Sequence, residues 1–299
     1  MQARLTPSTI LMLTMPPLLW AGNAVVGRMM QGALPPMTMN FLRWTIAFAL
    51  LLPLGGWALR RDSGMWQQWR RFALLGLFGI GAYNSLQYLA LKTSSAINAT
   101  LVGASMPVFM LALGALFFRT PVSARQVAGA LLSILGVLTV LSRGEPRLLL
   151  ALHLVPGDLL MLVATAIWAM YSWLLIRPIG AQKLRADWAA FMMAQLVFGL
   201  AWSGLFAGVE FAATDVHIRW SWRVLAALLY VGIGPAVIAL RCWGAGVQRV
   251  GPNIAAFFSN LTPLFAALLS SALLGEPPHL YHALAFVLIV VGIVLSSRR

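Results

Sequence analysis

Apolar residues fall into ten long runs, near 8–28, 37–58, 72–92, 96–118, 124–141, 157–176, 187–208, 224–246, 252–274 and 279–296, separated by short polar or Gly/Pro-rich breaks. A hydrocarbon core of about 30 Å is crossed by about 20 apolar residues in a helix, so each run is expected to be one membrane span. The Val, Leu and Ala stretches lack the ten-residue alternation of a membrane barrel, so their backbone polar groups must be satisfied within helices. The pattern predicts an all-α integral membrane protein with ten transmembrane helices.

The pattern also repeats. SMPVFMLALGALFFRTP at 105–121 is echoed 156 positions later by LTPLFAALLSSALLGEP at 261–277. The register holds without a gap from Ala99 to Arg143, pairing Pro107 with Pro263, Phe109 with Phe265, Pro121 with Pro277 and Gly136 with Gly292. Trp20-Ala21 matches Trp168-Ala169 at a spacing of 148, and Gly-Ile-Gly recurs at 79–81 and 232–234. Such self-similarity indicates duplication, with residues 1–150 as the first five-helix repeat and 151–299 as the second. Five is odd, so the second copy enters the membrane from the opposite face. Two inverted repeats around a site near mid-membrane are the expected basis of alternating access.

Composition changes the picture by naming the solvent. With 61% hydrophobic and 9% charged residues, a 299-residue chain cannot hide its apolar surface in a water-soluble domain. A net charge of +14 would suggest nucleic acid in a soluble protein, but here Lys and Arg lie almost wholly in the breaks. Thirteen fall on the side of the termini and six on the other, which places both termini in the cytoplasm and leaves no nucleic-acid partner expected. The first run follows Arg4 but lacks a small-x-small cleavage site, and is read as a retained span. A single cysteine, Cys242, excludes an intramolecular disulfide and a thiolate metal cage.

LLWAGNAVVGR at 18–28, Arg43-Trp44 in NFLRWTIAFALLLP, and the segment LTPLFAALLSSALLGEPPHLYHALAFVLIVVGIVLS resemble the drug/metabolite transporter superfamily, specifically its EamA-type members with two five-helix repeats. The likeness covers essentially the whole chain. The first half departs from the pattern, because Arg119-Thr120 stands where the second half has Gly275-Glu276. The resemblance implies a carrier in a bacterial inner membrane that exports amino acids or related metabolites. Among such exporters the chain looks like the aromatic and neutral amino-acid exporters of the YddG type. The expected partners are a small-molecule substrate and the lipid bilayer, with no cofactor.

Polar and aromatic residues inside the runs supply the candidate chemistry. Helical spacing places Tyr83 with Gln87 and Asn84 with Tyr88 on one strip of the third run, and Asn253, Phe257 and Asn260 on one face of the ninth. Trp168, Tyr171 and Ser172 stand in the sixth run, and Trp20 with Asn23 in the first. Amides can bridge helices and aromatics can form interfacial belts, or both can line a cavity. Recurrence on repeat-equivalent runs favours a cavity. Gly79, Gly81, Gly232, Gly234 and Pro235 loosen matching helices and are candidate hinges, although small residues also permit close packing.

Two arginines lie inside runs. Arg43 and Arg241 are each about five residues from a run's end, roughly 7.5 Å along a helix, so snorkelling to the headgroups is the expectation for both. The sharper alternative is capture of a substrate carboxylate, with Arg241 preferred over Arg43, because no Asp or Glu lies deep in a run to serve as partner. Asp158 and Asp187 sit at helix starts, Glu210, Asp215 and Glu276 in outer breaks, and His282 near the outer end of the tenth run. That distribution predicts facilitated diffusion over proton coupling. The chain has no P-loop, no His-Glu-x-x-His, no Gly-x-Ser-x-Gly and no ring of acids, which argues against direct ATP drive, an intramembrane enzyme and a channel.

Overall fold

In a long run of aliphatic residues only the helix satisfies every backbone polar group without outside partners, and the long apolar runs are helical. The computed structural model describes residues 5–94, 99, 102–150, 155–178, 180–215, 217–274 and 279–297, the side chains at 24, 28 and 270–274 excepted. Among them there is no strand. The first half contains α1 (Pro7–Met29), α2 (Pro36–Gly55), α3 (Trp69–Gly76), a π-helical segment (Leu77–Ala82), α4 (Tyr83–Ala90), α5 (Met106–Phe118) and α6 (Ala124–Leu141). The second contains α7 (Pro156–Ile176), α8 (Trp188–Ala213), α9 (Trp222–Val231), a π-helical segment (Gly232–Ile238), α10 (Ala239–Val250), α11 (Pro252–Ser259), α12 (Leu261–Leu274) and α13 (Leu280–Ser297).

Eight helices among the described residues are long and apolar enough to cross a membrane, against the ten spans expected. The third run is helical from Trp69 through Ala90, but Arg70, Arg71, Asn84 and Gln87 dilute its hydropathy. The fourth is represented chiefly by α5, which is only 13 residues long, and most of 95–101 lies outside the described residues. Gly275-Glu276-Pro277 also lies outside them.

The acids cap helices. Asp187 precedes α8 and accepts the backbone N–H groups of Ala189 at 3.0 Å and Ala190 at 3.2 Å. The Trp57 indole donates to the same carboxylate at 2.7 Å. Asp158, in the first turn of α7, accepts the Val155 N–H at 2.8 Å and the Ser94 hydroxyl. Glu210 corrects the expectation that placed it in a break: it is buried in the last turn of α8. Its carboxylate accepts N–H groups from Met37 at 3.2 Å and Thr38 at 2.9 Å, at the start of α2, where the helix dipole favours negative charge. His282 lies in the first turn of α13 and accepts the His279 N–H at 3.1 Å.

Small residues bring α6 and α13 together. A Cβ added at Gly129 would lie 2.7 Å from the Gly292 carbonyl oxygen, so the two backbones meet where only glycine fits. Two helix interruptions fall at the repeat-paired positions 104 and 260: α5 starts after Ala104-Ser105, and α11 gives way to α12 at Asn260. Pro107 and Pro263 follow three residues later, and each removes the N–H that would have bonded back four residues. The Gly-Ile-Gly sequences both lie in the π-helical segments, and side chains from other helices bond to carbonyls there. Asn40 of α2 donates to the carbonyls of Ile80 at 3.0 Å and Gly81 at 3.3 Å. Trp20 of α1 donates to the carbonyl of Pro235 at 3.3 Å.

Candidate functional site

A cavity of about 110 Å³ lies among α1, α4, α7 and the two interrupted helices. Its walls include Trp20 and Asn23 from α1, Tyr83, Asn84 and Gln87 from α4, and Met161 and Trp168 from α7. The interruptions contribute Ala104 and Met106 on one side and Asn260, Thr262 and Pro263 on the other. Trp20, Asn23, Tyr83, Asn84, Gln87, Trp168 and Asn260 therefore meet around one space, although they come from separate parts of the chain.

Asn260 is 1% exposed and among the described residues neither polar atom of its carboxamide has a partner, which is costly unless something in the cavity supplies one. Sequence reasoning had no means of finding Ala104, Thr262 and Pro263 as lining, beyond the repeated proline three residues after each interruption.

Four other candidates lie elsewhere. Phe257 is fully buried in the core, and Asn253 is buried with its Oδ1 unpartnered among the described residues; neither lines the cavity, because the shared helical face ends where α11 stops at Ser259. Tyr171 and Arg241 line a separate recess of about 250 Å³ with Arg185, Trp188, Gln195 and Arg249. The Tyr171 hydroxyl donates to Gln195 Oε1 at 3.0 Å. Arg241 is exposed, and its guanidinium lies 4.0 Å from the centre of the Trp188 ring.

A layer of rings separates the cavity from this recess. Trp168 is 5.2 Å from Trp20, 4.8 Å from Tyr83, 5.1 Å from Tyr171 and 5.8 Å from Trp243, centre to centre. Trp243 is fully buried and its indole donates to the Ser172 hydroxyl at 3.0 Å. Its role was missed from sequence, where the signal was one large aromatic in a helix of small residues. At the other end of the bundle a vestibule of about 580 Å³ is bordered by Tyr88, Lys92, Glu210, Asp215, His217 and Arg219. Leu91 borders both vestibule and cavity.

Arg43 overturns the snorkelling expectation. It is 1% exposed, and its Nη1 donates to Asn23 Oδ1 at 3.3 Å, Asn84 Oδ1 at 3.0 Å and the Tyr88 hydroxyl at 2.9 Å. It lies directly behind the cavity wall, where the packing of α2 against α4, α8 and the second π-helical segment buries it. The one ion pair among the described residues is Arg147 with Glu145 at 2.7 Å, on the surface.

The EamA-like transporter family profile matches the chain twice, over residues 7–142 and 155–298. An uncharacterized transporter of Archaeoglobus fulgidus is 27% identical, covering 97% of this chain and 98% of its own. The aromatic amino acid exporter YddG of Ancylobacter novellus is 26% identical over 94% of this chain and 93% of its own. A probable terminal-alkyne amino-acid exporter of Streptantibioticus cattleyicolor is 26% identical over 87% and 84%. One crystal structure superposes with a TM-score of 0.72 at 25% identity, covering 96% of both chains. With a multi-pass helical fold and both halves of its length matched, the chain belongs to the EamA-like transporter family of the drug/metabolite transporter superfamily, and it is a membrane transporter.

Proposed function

We propose that the protein exports amino acids with aromatic or other apolar side chains, or closely related metabolites, from a bacterial cytoplasm by facilitated diffusion. The observation that carries the reading is the cavity in which Trp20, Tyr83 and Trp168 offer ring faces beside the amides of Asn23, Asn84, Gln87 and Asn260. Apolar walls with a few convergent polar groups suit a small solute with one greasy and one polar end, and the space of about 110 Å³ has to widen as the carrier opens to take a whole amino acid. The exporters among the relatives support the substrate class.

In this proposal ten spans form two inverted five-helix repeats, 1–150 and 151–299, with both termini cytoplasmic. The ring layer around Trp168 is then the closed inner gate, and Leu91 with Tyr88 the thinner outer one. Rocking the repeats about the π-helical segments at Leu77–Ala82 and Gly232–Ile238 would open one side as it closes the other. Asp158, Asp187 and Glu210 are engaged as helix caps, which leaves them poorly suited to carrying protons through the cavity.

Counterflow of labelled phenylalanine in proteoliposomes tests this function. Saturable counterflow that an imposed pH gradient alone cannot make concentrative is expected. Concentrative uptake on a pH gradient would replace facilitated diffusion with proton coupling, and an absence of saturable phenylalanine exchange would sink the amino-acid reading.

A further inference from the structure

Resting on that amino-acid reading, we infer that Asn23 and Asn84, backed by Arg43, form the receptor for the substrate carboxylate. A guanidinium has five donors and no acceptor, so it dictates how neighbouring amides turn. Arg43 Nη1 holds Asn23 Oδ1 at 3.3 Å and Asn84 Oδ1 at 3.0 Å. The Tyr88 hydroxyl accepts from the same nitrogen at 2.9 Å and donates onward to Asn23 Oδ1 at 3.0 Å. With both oxygens committed, each amide has its NH2 group left over, and among the described residues neither Nδ2 has a partner. Asn23 is 3% exposed and Asn84 is 6% exposed, and both line the cavity. The cavity therefore meets donors on this wall, with a buried positive charge immediately behind them.

Among the described residues that charge has no counter-ion. No carboxylate among the described residues pairs with Arg43, and burying a cation unpaired is expensive. An arginine serving only to join α1, α2 and α4 would be cheaper as a neutral donor, whereas a carboxylate arriving in the cavity would complete both the charge and the amide hydrogen bonds. Arg43 in this arrangement is a positioning residue: it orients the two amides and supplies potential without touching the substrate. Asn260, on the interrupted-helix side, has a carbonyl oxygen with no partner among the described residues, free to accept from the ammonium group. Arg241 lacks these features, since it is exposed and lies on Trp188 outside the cavity.

The discriminating variant is Asn84→Asp. It is nearly isosteric and gives Arg43 a carboxylate partner, so it favours folding while cancelling the charge and removing a donor. Counterflow is measured for phenylalanine and for phenylalaninamide, which keeps the ring and the ammonium but has no carboxylate. Wild-type protein should prefer phenylalanine by about tenfold or more, the size of a lost charge-assisted hydrogen bond. Asn84→Asp should abolish that preference, lowering phenylalanine flux about tenfold more than phenylalaninamide flux, and Arg43→Gln should shift the ratio the same way with Arg43→Lys restoring part of it. Equal losses for both probes, or an unchanged preference in Asn84→Asp, would overturn the assignment. A wild type that carries both probes equally keeps its amino-acid cargo and loses the carboxylate receptor; one that carries neither loses both.

Discussion

The indole nitrogen of Trp20 lies 3.3 Å from the carbonyl oxygen of Pro235, so a ring in the cavity wall is hydrogen bonded into the middle of a π-helical segment. Pro235 has no N–H, so the backbone ladder is already broken within that segment. Whatever moves Trp20 pulls on that turn, and bending the turn displaces a wall of the site.

Trp20→Phe keeps a ring and removes the donor. Loss of one hydrogen bond, about 0.5–1.5 kcal/mol, should change turnover several-fold while substrate affinity stays within about twofold. Transport rate and equilibrium binding of phenylalanine on the same preparation check this. Affinity falling in step with rate would assign Trp20 to substrate contact alone.

Gly234 and Gly79 separate flexibility from packing. A Cβ at Gly234 would lie 3.4 Å from Leu19, an ordinary contact, whereas one at Gly79 would lie 2.5 Å from the Tyr171 ring. Gly234→Ala should raise stability by up to about 1 kcal/mol and slow turnover, because it stiffens a turn without a clash. Gly79→Ala should destabilise by about 1–3 kcal/mol through overpacking. Melting temperature and transport rate of each variant decide; unaltered turnover in a stabilised Gly234→Ala would remove that segment as a hinge.

The cap at Asp187 gives a pH dependence. Burial pushes its carboxyl up, but the Trp57 indole and the Ala190 and Ala189 amides outweigh burial and hold it below the ordinary value. A lowered folded-state value contributes stability that is present above the unfolded value of about 3.9 and is lost as pH falls through the folded one. Asp187→Ala should cost about 1 kcal/mol at neutral pH, and its melting-temperature gap to wild type should narrow below about pH 4. A gap independent of pH would mean that the carboxylate charge contributes nothing.

Orientation is checked by labelling introduced cysteines in a Cys242→Ser background. Arg61 and Ala213 are exposed at opposite ends of the bundle. An impermeant maleimide added outside cells should label Ala213→Cys and spare Arg61→Cys. The reverse pattern would invert the proposed topology.

The chain's apolar runs alone determine that its solvent is lipid and where its helices lie, because a run of about 20 aliphatic residues has one way to satisfy its backbone in a bilayer. Gly-Ile-Gly was likewise legible as a weak point, since missing side chains and a proline act on the local backbone. Periodicity reports which residues share a face, and cannot report what that face meets.

Asn253, Phe257 and Asn260 share a face by spacing, but the interruption at Asn260 sends that residue into the cavity and leaves the other two in the core. Arg43 and Arg241 look equivalent by depth, yet α2 packs against α4 and α8 and holds Arg43 buried against three polar groups, while Arg241 lies open on Trp188. Only tertiary packing decided that difference, because the rotation of a helix about its own axis is fixed by its neighbours and not by its own sequence.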